Sequence, residues 1–290
     1  MTRAQEALRA FAAAVDREQL GVYGVEIRIG TSRAGHRWRS DDRENLFSLS
    51  KGVCALAVGL ATEEYPITLE TTIAETFPEF ELGPGVGDVT LRRLLTMTSG
   101  IDFLWFGDEP VPWPDLAAEM LRRPSRGRVF QYSDASTYVA MRMLATFVGD
   151  VRDYLMPRLF EPLGIENPQW HRCPLGWIVG GTGLELRTKE VARIGDLLLD
   201  RGRCNGTSIV PAAWIDRMHG DWVETGRPAP MDRYGLATWG GPGEDAWRLE
   251  GRYGQFVIVV EDAVVTVTGH EEDMEDRIAE VAVDSVTGTR

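Results

Sequence analysis

The sequence predicts an α+β protein: an antiparallel sheet flanked by helices, with a mostly helical region inserted into it. Three observations carry this. Strand-like runs stand near both ends, YGVEIRI after the first twenty residues and YGLATWG, RYGQFVIVVE and AVVTVTG close to the C-terminus. The long stretch between them has a mostly helical texture. Val53 to Ala61 (VCALAVGLA) is apolar on almost every face, which marks a helix buried between layers. Runs of strands separated from runs of helices give α+β layering, with the terminal strands meeting in one sheet. The expected partition puts residues 1–62 and 186–290 in an α/β sheet domain and 63–185 in a mostly helical one. The cleft between them is the default place for a site.

Taken in order, Ala4, Ala7, Leu8, Phe11 and Val15 recur at helical spacing and make the N-terminal segment an amphipathic helix. Tyr23 to Ile29 alternates as a strand, and a turn of small residues, TSRAG, leads to a second short strand around His36 to Arg39, a hairpin. The buried helix follows, starting near Ser48. Thr/Glu pairs after Pro66 suggest a helix start, and Thr90 opens another helix through LRRLLTMTSG, stopped at Ser99-Gly100. Gly107 to Pro114 is loop. Further helices are expected over Asp115–Arg123, Ala135–Val148, Asp150–Phe160, Thr188–Arg201 and Pro211–Met218. The C-terminal strands precede a final acidic helix around HEEDMEDRIAE.

With 290 residues, 43% of them hydrophobic, the chain can build a sizeable core. A net charge of −13 argues against nucleic acid and anionic membranes as partners. No stretch approaches the ~18 to 20 apolar residues of a membrane span. Arg9, Asp16 and Arg17 interrupt the N-terminus, so it does not read as a signal peptide, and the chain is expected to be cytoplasmic or else a protein whose leader has been removed. Cys54, Cys173 and Cys204 are widely spaced and form no zinc or disulfide pattern; Cys54 reads as a small core residue. His36, His171, His219 and His270 are scattered, form no metal-ligand spacing, and read as surface residues.

The chemistry concentrates at Phe47-Ser48-Leu49-Ser50-Lys51-Gly52. If the helix begins near Ser48, positions 48 and 51 are neighbours on its first turn. The serine hydroxyl then lies beside a lysine amine and the positive end of the helix dipole. Ser48 fits either this nucleophile or a plain N-cap with Lys51 reaching to water. Ser50 is a second hydroxyl, but Val53 stands where its lysine would be. About eighty residues on comes Tyr132-Ser133-Asp134.

Ser-x-x-Lys followed by a Tyr/Ser-x-Asn-like box resembles the serine β-lactamase-like family, specifically its class C branch of cephalosporinases, D-amino-acid peptidases and carboxylesterases. LRRLLTMTSGI, FEPLGIENPQW and GGTGLELRTKEVARIGDLLLDRGRCNGTSIVPAAWI are similar to further family segments, in the expected order from about Val22 to Gly269. The resemblance implies a serine hydrolase that forms an acyl-enzyme on a small ester or amide, with no cofactor and no metal. The competing reading is a catalytically silent member acting as a binding or scaffold protein.

Carried over, Ser48 is the nucleophile, Lys51 assists its deprotonation, and Tyr132 shuttles a proton. Serine is a poor nucleophile at neutral pH without such a partner. The backbone N–H groups of Ser48 and Arg252 would form the oxyanion hole. Asp134 stands where asparagine is commoner, and fits an ion pair with Lys51, a helix cap or a substrate contact. The third box is read at Leu249-Glu250-Gly251, with Trp239-Gly240-Gly241 as the alternative. Asp134, Glu250 and Gly251 are the expected substrate-binding residues. Leu249 and Glu250 replace the lysine and hydroxyl that hold a β-lactam carboxylate, which favours esters or amides over β-lactams. Trp105, Trp113 and Trp239 fit an apolar pocket or ordinary packing.

Overall fold

A computed structural model describes residues 1–107, 110–243 and 245–288. Its elements run α1 (Arg3–Glu18), β1 (Val22–Ile29), β2 (Ser32–Arg37), β3 (Glu44–Asn45), α2 (Ser50–Glu64), α3 (Ile73–Thr76), α4 (Leu91–Leu95), α5 (Leu116–Leu121), α6 (Asp134–Val148) and α7 (Val151–Leu155). There follow β4 (Gln169–Trp170), β5 (Leu184–Leu186), α8 (Thr188–Leu199), β6 (Arg203–Cys204), β7 (Thr207–Ser208), α9 (Ala212–Met218) and β8 (Val223–Glu224). The chain closes with β9 (Arg233–Tyr234), β10 (Trp239–Gly240), β11 (Trp247–Gly251), β12 (Gln255–Val260), β13 (Ala263–Gly269) and α10 (Glu275–Thr287).

Strands from the two ends of the chain do meet in one sheet, in the order β2-β1-β13-β12-β11-β10-β9-β8. Its pairs are antiparallel, with Val25 opposite Val267, Ile258 opposite Val265 and Leu249 opposite Val257. Alternation along the strands gives the sheet two apolar faces. Val25, Ile27, Phe256, Ile258 and Val267 share one cluster with Phe11 of α1 and Ile278 and Ala282 of α10. Leu249, Val257 and Val264 lie in the other cluster with α2, α8 and the helical middle of the chain. The fold is therefore the α+β arrangement that the terminal strands and helical middle imply.

Local chemistry sets the helix starts. Thr2 and Gln5 make a capping box for α1, Thr72 and Glu75 another for α3, and Thr90 and Asp115 cap α4 and α5. α2 is buried continuously from Ser50 to Ala61, as its uniform apolarity demands. Several expectations need correction. The β1–β2 turn is only Gly30-Thr31, because β2 begins at Ser32 and the small residues of TSRAG are largely strand. The helix expected over Asp150–Phe160 ends at Leu155 and continues as a π-helical turn over Met156–Phe160, where Pro157 has no N–H to donate. YGLATWG is two short strands, since Ala237 has a left-handed φ of 57°. His219 is half-buried, its ring stacked on Trp247 at 4.4 Å. Of the expected 107–114 loop, residues 108 and 109 lie outside the described residues.

Candidate active site

Ser48 does not lie on the first turn of α2. It sits on a single 3₁₀ turn, Phe47–Leu49, that leads into the helix, and Lys51 occupies the first turn proper. The Ser-x-x-Lys spacing still joins them: Lys51 Nζ donates to Ser48 Oγ at 2.7 Å. Lys51 is only 1% exposed, so its ammonium must find all its partners inside the protein. It finds three. Besides Ser48 Oγ it donates to the Gly181 carbonyl at 2.8 Å and to the Asp134 carboxylate. Burial alone pushes the Lys51 pKa down, but the charge and hydrogen bond of Asp134, with Tyr132, outweigh it and the net shift is upward. The ammonium form of Lys51 is thus favoured, a buried cation beside the Ser48 hydroxyl.

Asp134 owes its position to the start of α6. The N-cap is Ser133, whose hydroxyl donates to the Trp105 carbonyl at 3.1 Å and accepts from the Trp105 N–H at 3.2 Å. That leaves Asp134, 2% exposed, with one oxygen on Lys51 and the other accepting the Gly107 N–H at 2.8 Å. Of the three roles open to it in the sequence, the ion pair is the one the structure shows. Gly181 is a glycine because a Cβ there would overlap Asp134, so its carbonyl can approach Lys51 only with the side chain absent.

Tyr132 sits just ahead of α6, with Lys51 Nζ 4.7 Å from its ring centroid. Aromatic rings fix it: Phe106 at 6.4 Å, Trp239 at 5.3 Å and Tyr234 edge-on at 5.8 Å. Trp105 and Trp113 pack on one another and on Phe103. Phe47, Ser48, Phe106, Tyr132, Asp134, Thr182 and Arg252 line a cleft of about 270 Å³. A larger hollow of about 640 Å³ beside Arg233 and Asp276 holds none of the groups around Ser48.

The third box is brought to the site, but its side chains turn elsewhere. Leu249 packs on α2 at Gly52. Gly251 presses against the Leu46 carbonyl, where a Cβ would overlap it, so β11 can abut the turn carrying Ser48. Glu250 does not line the cleft: it pairs with Arg248, two residues away on the same strand face. Burial pushes the Glu250 carboxyl up, against the opposing pull of Arg248. Arg252 is among the residues that line the cleft.

The sequence reading missed Phe47, Phe106, Gly181 and Thr182. Two of them carried a signal. The run Gly180-Gly181-Thr182-Gly183 is the texture of close backbone approach, and its glycines could have marked it. Among the described residues no group of three or more His, Cys, Asp or Glu could hold a metal ion, and no helix is long and apolar enough to cross a membrane.

A family model described as beta-lactamase matches residues 5–270. No curated protein matches the sequence significantly. Among solved structures, the chain is similar to a class C beta lactamase from Rhodobacter sphaeroides, with TM-score 0.75, 15% identity and 98% of each chain covered. It is similar to a family VIII carboxylesterase at TM-score 0.77 and 18% identity, covering 100% of this chain and 98% of that one. A penicillin-binding protein homologue from Caulobacter crescentus gives TM-score 0.77 and 16% identity, with 100% and 98% covered.

Proposed function

Because this chain belongs to the beta-lactamase family, we propose that it is a serine hydrolase that works through an acyl-enzyme on small esters or amides. One observation carries the reading: a fully buried ammonium donates to Ser48 Oγ and is itself held by Asp134 and the Gly181 carbonyl. Such a cation stabilises charge developing on the serine oxygen. With all three donors engaged and its pKa raised, Lys51 is not the proton acceptor. That role falls to Tyr132, which lines the cleft beside Ser48.

The steps balance as a relay. Ser48 Oγ bonds to the substrate carbonyl carbon while its proton passes to the Tyr132 oxygen, and the Tyr132 proton passes to the leaving alcohol or amine. The C–O or C–N bond breaks and the acyl group remains on Ser48. Water repeats the sequence in reverse and frees the acid. The backbone N–H groups of Ser48 and Arg252 receive the oxyanion.

Esters and amides are favoured over β-lactams on the placement of the third box. Leu249 is committed to the core and Glu250 to Arg248, so neither offers a donor to a β-lactam carboxylate. The small cleft, walled by Phe47, Phe106 and Tyr132, suits a compact acyl group. The test is labelling with a fluorophosphonate followed by mass spectrometry of the peptide. Covalent modification at Ser48 is expected; an unlabelled chain would make it a silent member of the family, acting as a binding protein.

A further inference from the structure

Phe47 and Tyr253 are aromatic residues in the left-handed backbone region, with φ of 47° and 67°. Neither side chain offers the local hydrogen bond that lets asparagine or aspartate sit there readily, so each is an outlier that its surroundings must enforce. Their places in the chain are not arbitrary. Phe47 directly precedes Ser48, and Tyr253 directly follows Arg252. Although more than two hundred residues apart, their rings meet edge to face with centroids 5.1 Å apart.

The turn alone does not explain Tyr253. It and Gly254 are successive left-handed residues in the connection from β11 to β12. The loop has three residues, and its left-handed positions favour Gly, Asn or Asp over an aromatic residue. A tyrosine at the first position costs the turn stability, so the ring must serve something beyond the turn. What it does is make contacts. Besides Phe47, it stacks on His270 at 4.3 Å, and the Arg252 guanidinium lies 4.7 Å over its face. Its carbonyl accepts the Glu271 N–H at 3.1 Å. Phe47 is tied from its own side, its N–H donating at 2.9 Å to Asn45 Oδ1, which also takes the Gly183 N–H at 3.1 Å. Next to them in the chain, Gly251 presses on the Leu46 carbonyl.

We propose that the Phe47–Tyr253 contact is a clamp that fixes the separation of the Ser48 and Arg252 backbone N–H groups, the two donors of the oxyanion hole. The inference rests on the hydrolase reading above. Both are positioning residues: the left-handed backbone at Phe47 sets the peptide plane that carries the Ser48 N–H, and Tyr253 holds the far end of the turn that carries Arg252. An oxyanion hole whose donors belong to segments so distant in sequence needs such a tie, because it works only if both donors are placed before the charge develops.

The test uses Tyr253, which does not line the cleft, in the full-length protein with p-nitrophenyl acetate. Tyr253→Asn and Tyr253→Gly both suit the turn and remove the ring, whereas Tyr253→Phe keeps it. Losing a donor outright costs ~10² to 10³ in kcat, and loosening one should cost about tenfold or more. We expect that fall in kcat for the Asn and Gly variants, with KM and melting temperature at or above wild type, and wild-type behaviour for Tyr253→Phe. Wild-type kcat in the Asn or Gly variant overturns the clamp. A melting temperature that falls with kcat in both makes the ring a stability element and also overturns it, as does equal loss in the Phe variant. Ser48→Ala run in parallel separates the two readings. If wild-type turnover depends on Ser48 while Tyr253→Asn is fully active, the hydrolase stands and the clamp falls; without Ser48-dependent turnover both fall.

Discussion

Asp134→Asn tests the buried cation directly. The substitution keeps a carbonyl acceptor for Lys51 but removes the counter-charge. It also turns an amide N–H₂ toward the Gly107 N–H, donor against donor, where a carboxylate oxygen now accepts at 2.8 Å. Breaking a buried ion pair from one side costs roughly 3 to 5 kcal/mol, and the retained acceptor places this case near the lower end, at about 3 kcal/mol. For a chain of 290 residues that lowers the melting temperature by roughly 5 °C. The pH dependence has a defined sign. The folded-state pKa of Lys51 is raised above its ordinary 10.5, so the stabilisation is fully present below that value and is lost as pH rises through the higher folded one. In the variant, burial acts on Lys51 with the carboxylate gone, so its pKa drops and an ionisation absent from wild type enters the pH–rate profile of kcat/KM. Circular dichroism melts at neutral pH and at about pH 11, with an activated-ester assay across the range, read both effects. An unchanged melt together with a superimposable pH–rate profile would refute the account of Lys51 as a permanently charged group.

Other substitutions follow from the same geometry. Ser48→Ala should abolish turnover of an activated ester with the melting temperature retained. Ser50→Ala should leave turnover intact and lose about 1 kcal/mol, because that hydroxyl only accepts the Leu184 N–H at 3.3 Å inside the core; an inactive Ser50 variant beside an active Ser48 variant would exchange their roles. Tyr132→Phe should lower kcat by ~10² to 10⁴, the range for a lost proton relay, and wild-type rates would remove it from the mechanism. Across p-nitrophenyl acetate, a D-alanyl amide and nitrocefin at matched concentration, nitrocefin should show the lowest kcat/KM; the highest would overturn the third-box reading. Arg248 is fully buried with both Nη atoms lacking a hydrogen-bond partner among the described residues, so replacing it and Glu250 together by methionine and leucine should leave stability unchanged or raise it by roughly 1 to 4 kcal/mol, measured by urea unfolding.

What the sequence disclosed was what short range encodes. Ser48 and Lys51 are three residues apart, and the uniform apolarity after them needs a buried helix. The strand runs at the two ends of the chain need one another to complete a sheet. Tyr132 and Asp134 follow a loop and open a helix, so their joint presentation was also local. Glu250 was misjudged although the signal was present: on a strand, residues 248 and 250 share a face, and arginine and glutamate there neutralise each other. The left-handed Phe47 and Tyr253 could not be read, because aromatic residues oppose that conformation and it is held by tertiary contacts, the one between the two rings among them. Nor could the 3₁₀ turn beneath Ser48, which is set by tertiary packing where β11 meets Leu46.

The three acceptors of the Lys51 ammonium belong to the 3₁₀ turn ahead of α2, to the start of α6 and to the loop before β5, the last two lying 83 and 130 residues along the chain from the lysine. A fragment that lacks one of them leaves the buried ammonium short of a partner, so the arrangement around Ser48 is a property of the finished chain and of no part of it. On refolding, long-range closures are slow because chain entropy is lost before contact rewards it. Turnover should therefore return with the slowest of the three segments, after helix content has recovered, and regained activity reports completion of the whole fold.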